Sequence, residues 1–172
     1  MSTKRLLSSL FQNKAWANEE LFTALRSVDA TNSPTERHTA IRILNHTYVV
    51  DRIFAANLQQ SSHEYTATNT PETPTLDDLY QAVKITDRWY QDYVSELNDE
   101  QLGETLRFTF VDGDSGRMSR EEMLLHIATH GSYHRGAVGA ILTRLAIAPP
   151  RDIFTRFLHE SEPERRQGQV GQ

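Results

Sequence analysis

The sequence predicts an all-α fold, a four-helix bundle with a short β-strand or hairpin inserted before the last long helix. Three observations carry this. Four long stretches repeat apolar residues at three- and four-residue steps, the period of an amphipathic helix. One short stretch alternates with a period of two. The four helices come out at roughly 23–28 residues, or about 35–40 Å each at 1.5 Å per residue, and helices of matched length favour a bundle.

The first helix is expected from Thr3 to Val28, on Leu7, Leu10, Phe11, Leu21, Ala24, Leu25 and Val28. Trp16 and Phe22 flank that stripe, and Asp29 to Ser33 reads as a turn. The second opens at "SPTE": Ser33 as N-cap, Pro34 in the first turn and Glu36 completing a capping box. It continues through Ile43, Val50, Ile53, Phe54 and Leu58 and fades at Gln59 to Ser62. Thr66 to Pro74, with two prolines, is a loop.

Thr75 caps the third helix, with Asp78 three residues later, and Leu79, Val83, Tyr90, Tyr93 and Leu97 extend it. In "ETLRFTFVDGDSGRM", Leu106, Phe108 and Phe110 alternate with Thr105, Arg107 and Thr109, and Asp112-Gly113 and Gly116 supply turn residues. Ser119 and Glu122 form a second capping box for the fourth long helix, which runs to about Leu145 before Pro149 and Pro150. A short amphipathic piece, "DIFTRFLHE", follows. The bundle is thus expected to occupy residues 1–160, and residues 161–172 a polar tail that frays.

Composition narrows the function. The chain has 172 residues, 38% of them hydrophobic and 24% charged, and a net charge of −5 without a basic run. Nucleic-acid binding through a broad positive face is not expected. There is no cysteine, so disulfides, cysteine nucleophiles and cysteine metal ligands are excluded. No apolar run approaches the roughly 20 residues of a membrane span. The N-terminal "MSTKRLLSSLFQNKAW" turns polar too soon for a signal peptide. A cytoplasmic protein without membrane partners is expected.

The candidate site lies in "HIATHGSYHRG", which holds three of the seven histidines. On a helical wheel, His130 and His134 fall on the seam formed by Met123, Ile127, Val138, Ile141 and Leu145, about 40° apart. His126 lies at the edge of that seam. Two histidines four residues apart on one helix face can share a metal ion, and imidazole suits zinc, nickel, copper and iron. The plainer reading is a pair of hydrogen-bonded core histidines. Burying both imidazoles costs free energy unless each is bonded or ligated, and this favours the metal.

The best third ligand is His46, on the inward seam Ile43, His46, Val50, Ile53 or Phe54, and Asn57 of the second helix. Three imidazoles would leave a coordination position open, as in catalytic sites. His126 and Asp51 are candidates to support the ligands, although a surface carboxylate is the plainer reading for Asp51. His38, His63 and His159 read as surface residues. Trp16, Trp89, Tyr90 and Tyr93 read as core. Asp112 and Asp114 lack the rest of a calcium loop. Neither a phosphate-binding glycine loop nor GxSxG is present.

Four stretches together resemble the DinB-like family of metal-binding four-helix bundles. They are "FQNKAWAN" (Phe11 to Asn18), "LNHTYVVDRIF" (Leu44 to Phe54), "HIATHGSYHRG" (His126 to Gly136) and "APPRDIFTRFLHE" (Ala148 to Glu160). The chain departs from that pattern at Ala137, where a glutamine often follows HRG; the wheel puts this position on the pocket side. The resemblance implies His46, His130 and His134 as ligands of a divalent metal, commonly nickel or zinc, and a homodimer. It also implies a metal-dependent enzyme acting on a small molecule, with a thiol-dependent transferase using a low-molecular-weight thiol as cosubstrate the leading version. The alternatives are a metal-dependent hydrolase, or a stress-related binding protein whose metal is structural.

Overall fold

The computed structural model describes residues 2–166. Four long helices make the bundle: α1 (Thr3–Leu25), α2 (Pro34–Leu58), α3 (Leu76–Glu96) and, after one short helix and a hairpin, α5 (Arg120–Arg144). Between α3 and α5 lie a one-turn helix α4 (Asp99–Gly103) and the strands β1 (Thr105–Thr109) and β2 (Ser115–Ser119). Helix α6 (Phe154–Ser161) and a 3₁₀ turn (Pro163–Arg165) follow α5. The strands pair antiparallel, with Leu106 opposite Met118 and Phe108 opposite Gly116. The expected hairpin is present. No helix among the described residues is long and apolar enough to cross a membrane.

The core falls into two apolar halves. One gathers Leu7 and Phe11 of α1, Phe54 and Leu58 of α2, Tyr90 and Val94 of α3, and Met123 and Ile127 of α5. The other gathers Leu21 and Leu25, Ile41 and Leu44, Leu79 and Val83, and Val138 and Ile141 from the same helices. The first half therefore takes the N-terminal parts of α1 and α5 and the C-terminal parts of α2 and α3. Helices α1 and α5 run one way, α2 and α3 the other. Because α2 and α3 are parallel, residues 59–75 must travel back along the bundle.

The helix ends show where local signals worked. Ser119 and Glu122 form the reciprocal capping box, and Thr75 accepts from the Asp78 N–H. The box expected at Ser33 and Glu36 does not form. The Ser33 N–H already donates to the Asp29 carbonyl at 2.9 Å, so Glu36 has no donor to reach back to. Helix α1 stops at Leu25, three residues short of the expected Val28, although Val28 is buried. Helix α4, not anticipated, is set by a capping box between Asn98 and Gln101. Half-buried Trp16 packs on Phe157 and holds α6 against α1. The tail expected to fray from residue 161 instead begins with the 3₁₀ turn, and its part beyond Arg166 lies outside the described residues.

Candidate metal centre

His46 sits on α2 one turn before Val50, and His130 and His134 sit on α5 one turn apart. Their Nε2 atoms converge. His130 Nε2 stands 3.2 Å from His46 Nε2 and 3.1 Å from His134 Nε2. One ligand atom from each of the three lies within 4.8 Å of the others.

The donor set fits a divalent ion. Two nitrogens each about 2.0–2.1 Å from one zinc ion at the tetrahedral angle stand about 3.3 Å apart. An imidazole nitrogen is either a donor or an acceptor, so His130 Nε2 can turn only one of these two contacts into a full hydrogen bond and leaves the other neighbour's nitrogen without a partner. His46 Nδ1 donates to the Thr68 carbonyl at 2.7 Å, which places its proton there and turns an unprotonated Nε2 toward the cluster. Burial, then the neighbouring His134 and His46, pushes the His130 pKa down to about 3. Burial and then His46 lower that of His134. Both rings are neutral at pH 7 and able to ligate.

The Thr68 carbonyl is delivered by the returning 59–75 segment. Asn69 donates to the Arg42 carbonyl, Asn45 donates to both Asn69 and Thr70, and Arg42 donates to the Thr70 carbonyl. The segment is thereby pinned along α2 beside His46.

A cleft of about 340 Å³ opens above His46 and His130. Val50, Ile53 and Phe54 of α2 form one wall, and Phe110, Val111 and Met118 of the hairpin another. From His46 down to Asn57 the seam read from the α2 sequence lines it, whereas Ile43 packs against the other half of the core. His126 lines it too, half-buried, with its ring 4.8 Å from Phe54 and 5.4 Å from His130, and burial lowers its pKa. It lies outside the three-histidine cluster.

A family model, the DinB family, matches residues 1–167 of the chain. The chain belongs to the DinB family. Protein DinB of Bacillus subtilis (strain 168) is 22% identical over 170 residues, which covers 91% of this chain and 95% of that protein. No solved structure is a significant match.

The DinB chain also carries a buried polar layer that periodicity does not reveal. Lys14, 1% exposed, donates to Asp51 at 2.7 Å and to Asp87 at 2.5 Å. Asn18 donates to Asp87, Arg135 donates to Asn18, and Arg135 pairs with Asp152 at 2.7 Å. Burial lowers the Lys14 pKa, but the two carboxylates outweigh it and hold the group above its ordinary value. Burial pushes Asp51 up to about 6 against the pull of Lys14. All four stretches on which the DinB resemblance rests contribute: Lys14 and Asn18, Asp51, Arg135, and Asp152.

This layer corrects several expectations. Asp51 is neither a surface carboxylate nor a support for a ligand histidine: it is 3% exposed and bonds Lys14. His130 and His134 are half-buried at the edge of the α5 stripe, and its fully buried centre holds Gly131 and Arg135. Gly131 gives room there: a Cβ would stand 3.1 Å from Arg135 Nη1, which would have to give by a few tenths of an ångström, and in ordinary contact with Lys14 Cε at 3.5 Å. Ala137 is exposed and does not line the cleft. His38 is exposed as expected. His63 and His159 are half-buried; His63 lines a separate cavity, with its Nδ1 unpartnered, and His159 bonds the Thr155 carbonyl.

Proposed function

We propose that the protein binds one divalent metal ion, nickel or zinc, through Nε2 of His46, His130 and His134, and uses the open side of that ion to activate a small thiol for transfer to an electrophile. The observation that supports this best is the convergence of three imidazoles at one end of an apolar cleft. When bound, a divalent ion supplies a Lewis acid that lowers the pKa of a thiol, or of water, at neutral pH.

The chain's own residues do the rest. The Thr68 carbonyl orients His46. Val50, Ile53, Phe54 and Met118 exclude water from the cleft and hold the electrophile beside the histidines. The chain has no cysteine, so a reacting sulfur must arrive with a cosubstrate.

Hydrolysis is the second reading. It is less favoured because no Asp or Glu lines the cleft to serve as general base. A purely structural metal would call for a fourth protein ligand, and the cluster holds three among the described residues. A homodimer is carried with the reading from the resemblance alone.

Elemental analysis of untagged protein tests the proposal. Wild type is expected to hold about one equivalent of metal, and His130→Ala none. Equal metal in both, or none in wild type, defeats it. Metal-dependent consumption of a thiol together with an electrophile then separates the transferase from the hydrolase.

A further inference from the structure

Among the described residues, no Asp, Glu, Lys or Arg lines the cleft. Other cavities differ. The cavity beside the C-terminal end of α2 carries Arg52 and Glu64, and the one at α6 carries Arg151, Arg156, Glu160 and Arg166. Away from the three histidines, the cleft offers hydrogen bonds from Asn57, Thr68 and His126 alone.

Part of its wall is aromatic: His126, Phe54 and Phe110 line it, with Phe108 packed behind them, and the rings of His126, Phe54, Phe108 and Phe110 follow one another at 4.8, 5.8 and 4.9 Å. Gly116 makes room for this wall: a Cβ there would stand 2.5 Å from the Phe108 ring. Phe110 and Val111 enter from the hairpin turn, where Gly113 takes φ +96°.

We propose that the cleft receives a neutral molecule with an apolar body of one or two rings and a single coordinating head directed at His46, His130 and His134. The head's destination rests on the metal reading above; the body's does not. At about 30 Å³ per water, a cleft of about 340 Å³ equals about eleven waters, which suits a phenyl- to naphthyl-sized group. A charge on the body of such a ligand would be desolvated between Val50, Ile53 and Met118 without a partner. Substrates bearing a carboxylate or phosphate away from the reacting end are therefore excluded, and neutral aryl or branched alkyl electrophiles admitted.

The test uses imidazole, 4-phenylimidazole and 4-(4-carboxyphenyl)imidazole as probes. Each is titrated into metal-loaded and metal-stripped full-length protein, with the methyl NMR signals of Ile53, Val111 and Met118 as readout. The phenyl compound is expected to bind metal-loaded protein at least about tenfold tighter than imidazole, from apolar burial. The carboxylate should cancel that gain, and Val111→Arg should restore it to the carboxylated probe without changing the metal content. Equal binding of the phenyl and carboxyphenyl compounds, or silent methyls in protein that does hold metal, overturns the inference and leaves the metal reading standing. If metal fails to load while the phenyl compound still shifts these methyls and the carboxylated one does not, the metal reading falls and the apolar cleft survives.

Discussion

His46 differs from its two partners in having its second ring nitrogen engaged, by the Thr68 carbonyl. The next residue, Asn69, ties the segment that presents this carbonyl to α2, donating to the Arg42 carbonyl and accepting from Asn45. Asn69→Ala is expected to leave helix content intact and weaken metal binding by about 10–100-fold, the usual cost of losing an outer partner of a ligating histidine. Titration against a competing chelator reads this directly. Asp51 makes a separate residue-level prediction. Its carboxyl titrates near 6 in the folded protein against 3.8 in the unfolded chain, so the native state holds the proton more tightly. That stabilisation is complete below the unfolded value and is lost as pH rises through about 6. Asp51→Asn cannot lose it. Its melting temperature relative to wild type should therefore rise between about pH 4.5 and about pH 7.5; a constant difference would show that Asp51 does not titrate in that window.

The elements differ in how much of them the sequence revealed. The long helices and the hairpin were legible because their apolar periods extend over several turns or alternations. Ser119 and Ser33 show the limit of a local motif. Both precede a Glu by three residues, yet Ser119 alone makes the cap, because the Ser33 N–H is spent on Asp29. Ser119→Ala should thus cost about 1 kcal/mol in urea unfolding and Ser33→Ala only a few tenths. Helix α4 was missed because five residues are too few for a period, although Asn98 and Gln101 carried its capping signal. The α5 histidines were legible as a pair but misplaced by about one position around the helix. Gly131 and Arg135, which the apolar period does not single out, occupy the buried centre.

At the scale of the molecule, the polar layer falls between the two apolar halves of α1, α3 and α5, and α2 joins it through Asp51, just inside its first half. The interruption was visible in the α1 stripe, which jumps from Phe11 to Leu21, and similar charged positions break the stripes at Asp51 and Asp87. Periodicity assigns such residues to solvent one helix at a time. Their mutual neutralisation appears only when the four helices are assembled. Lys14→Met should be strongly destabilising, by about 3–5 kcal/mol, since it leaves two buried carboxylates without their cation. Loss of Lys14 should also be worse than loss of the exposed Arg88, whose pair with Asp92 is solvated; comparable melting temperatures for Lys14→Met and Arg88→Met would refute this.

The same layer bears on alignment. Apolar helix faces alone could slide past one another by a helical turn, about 5.4 Å, with little change in buried area. Such a slip would carry Lys14 away from Asp51 and Asp87 and strand Arg135 from Asn18, leaving charges in the dry interior. The bundle therefore has a longitudinal lock at mid-height. Since α2 brings one histidine and α5 two, the lock that stops these helices from shearing also keeps the three imidazoles at a common level.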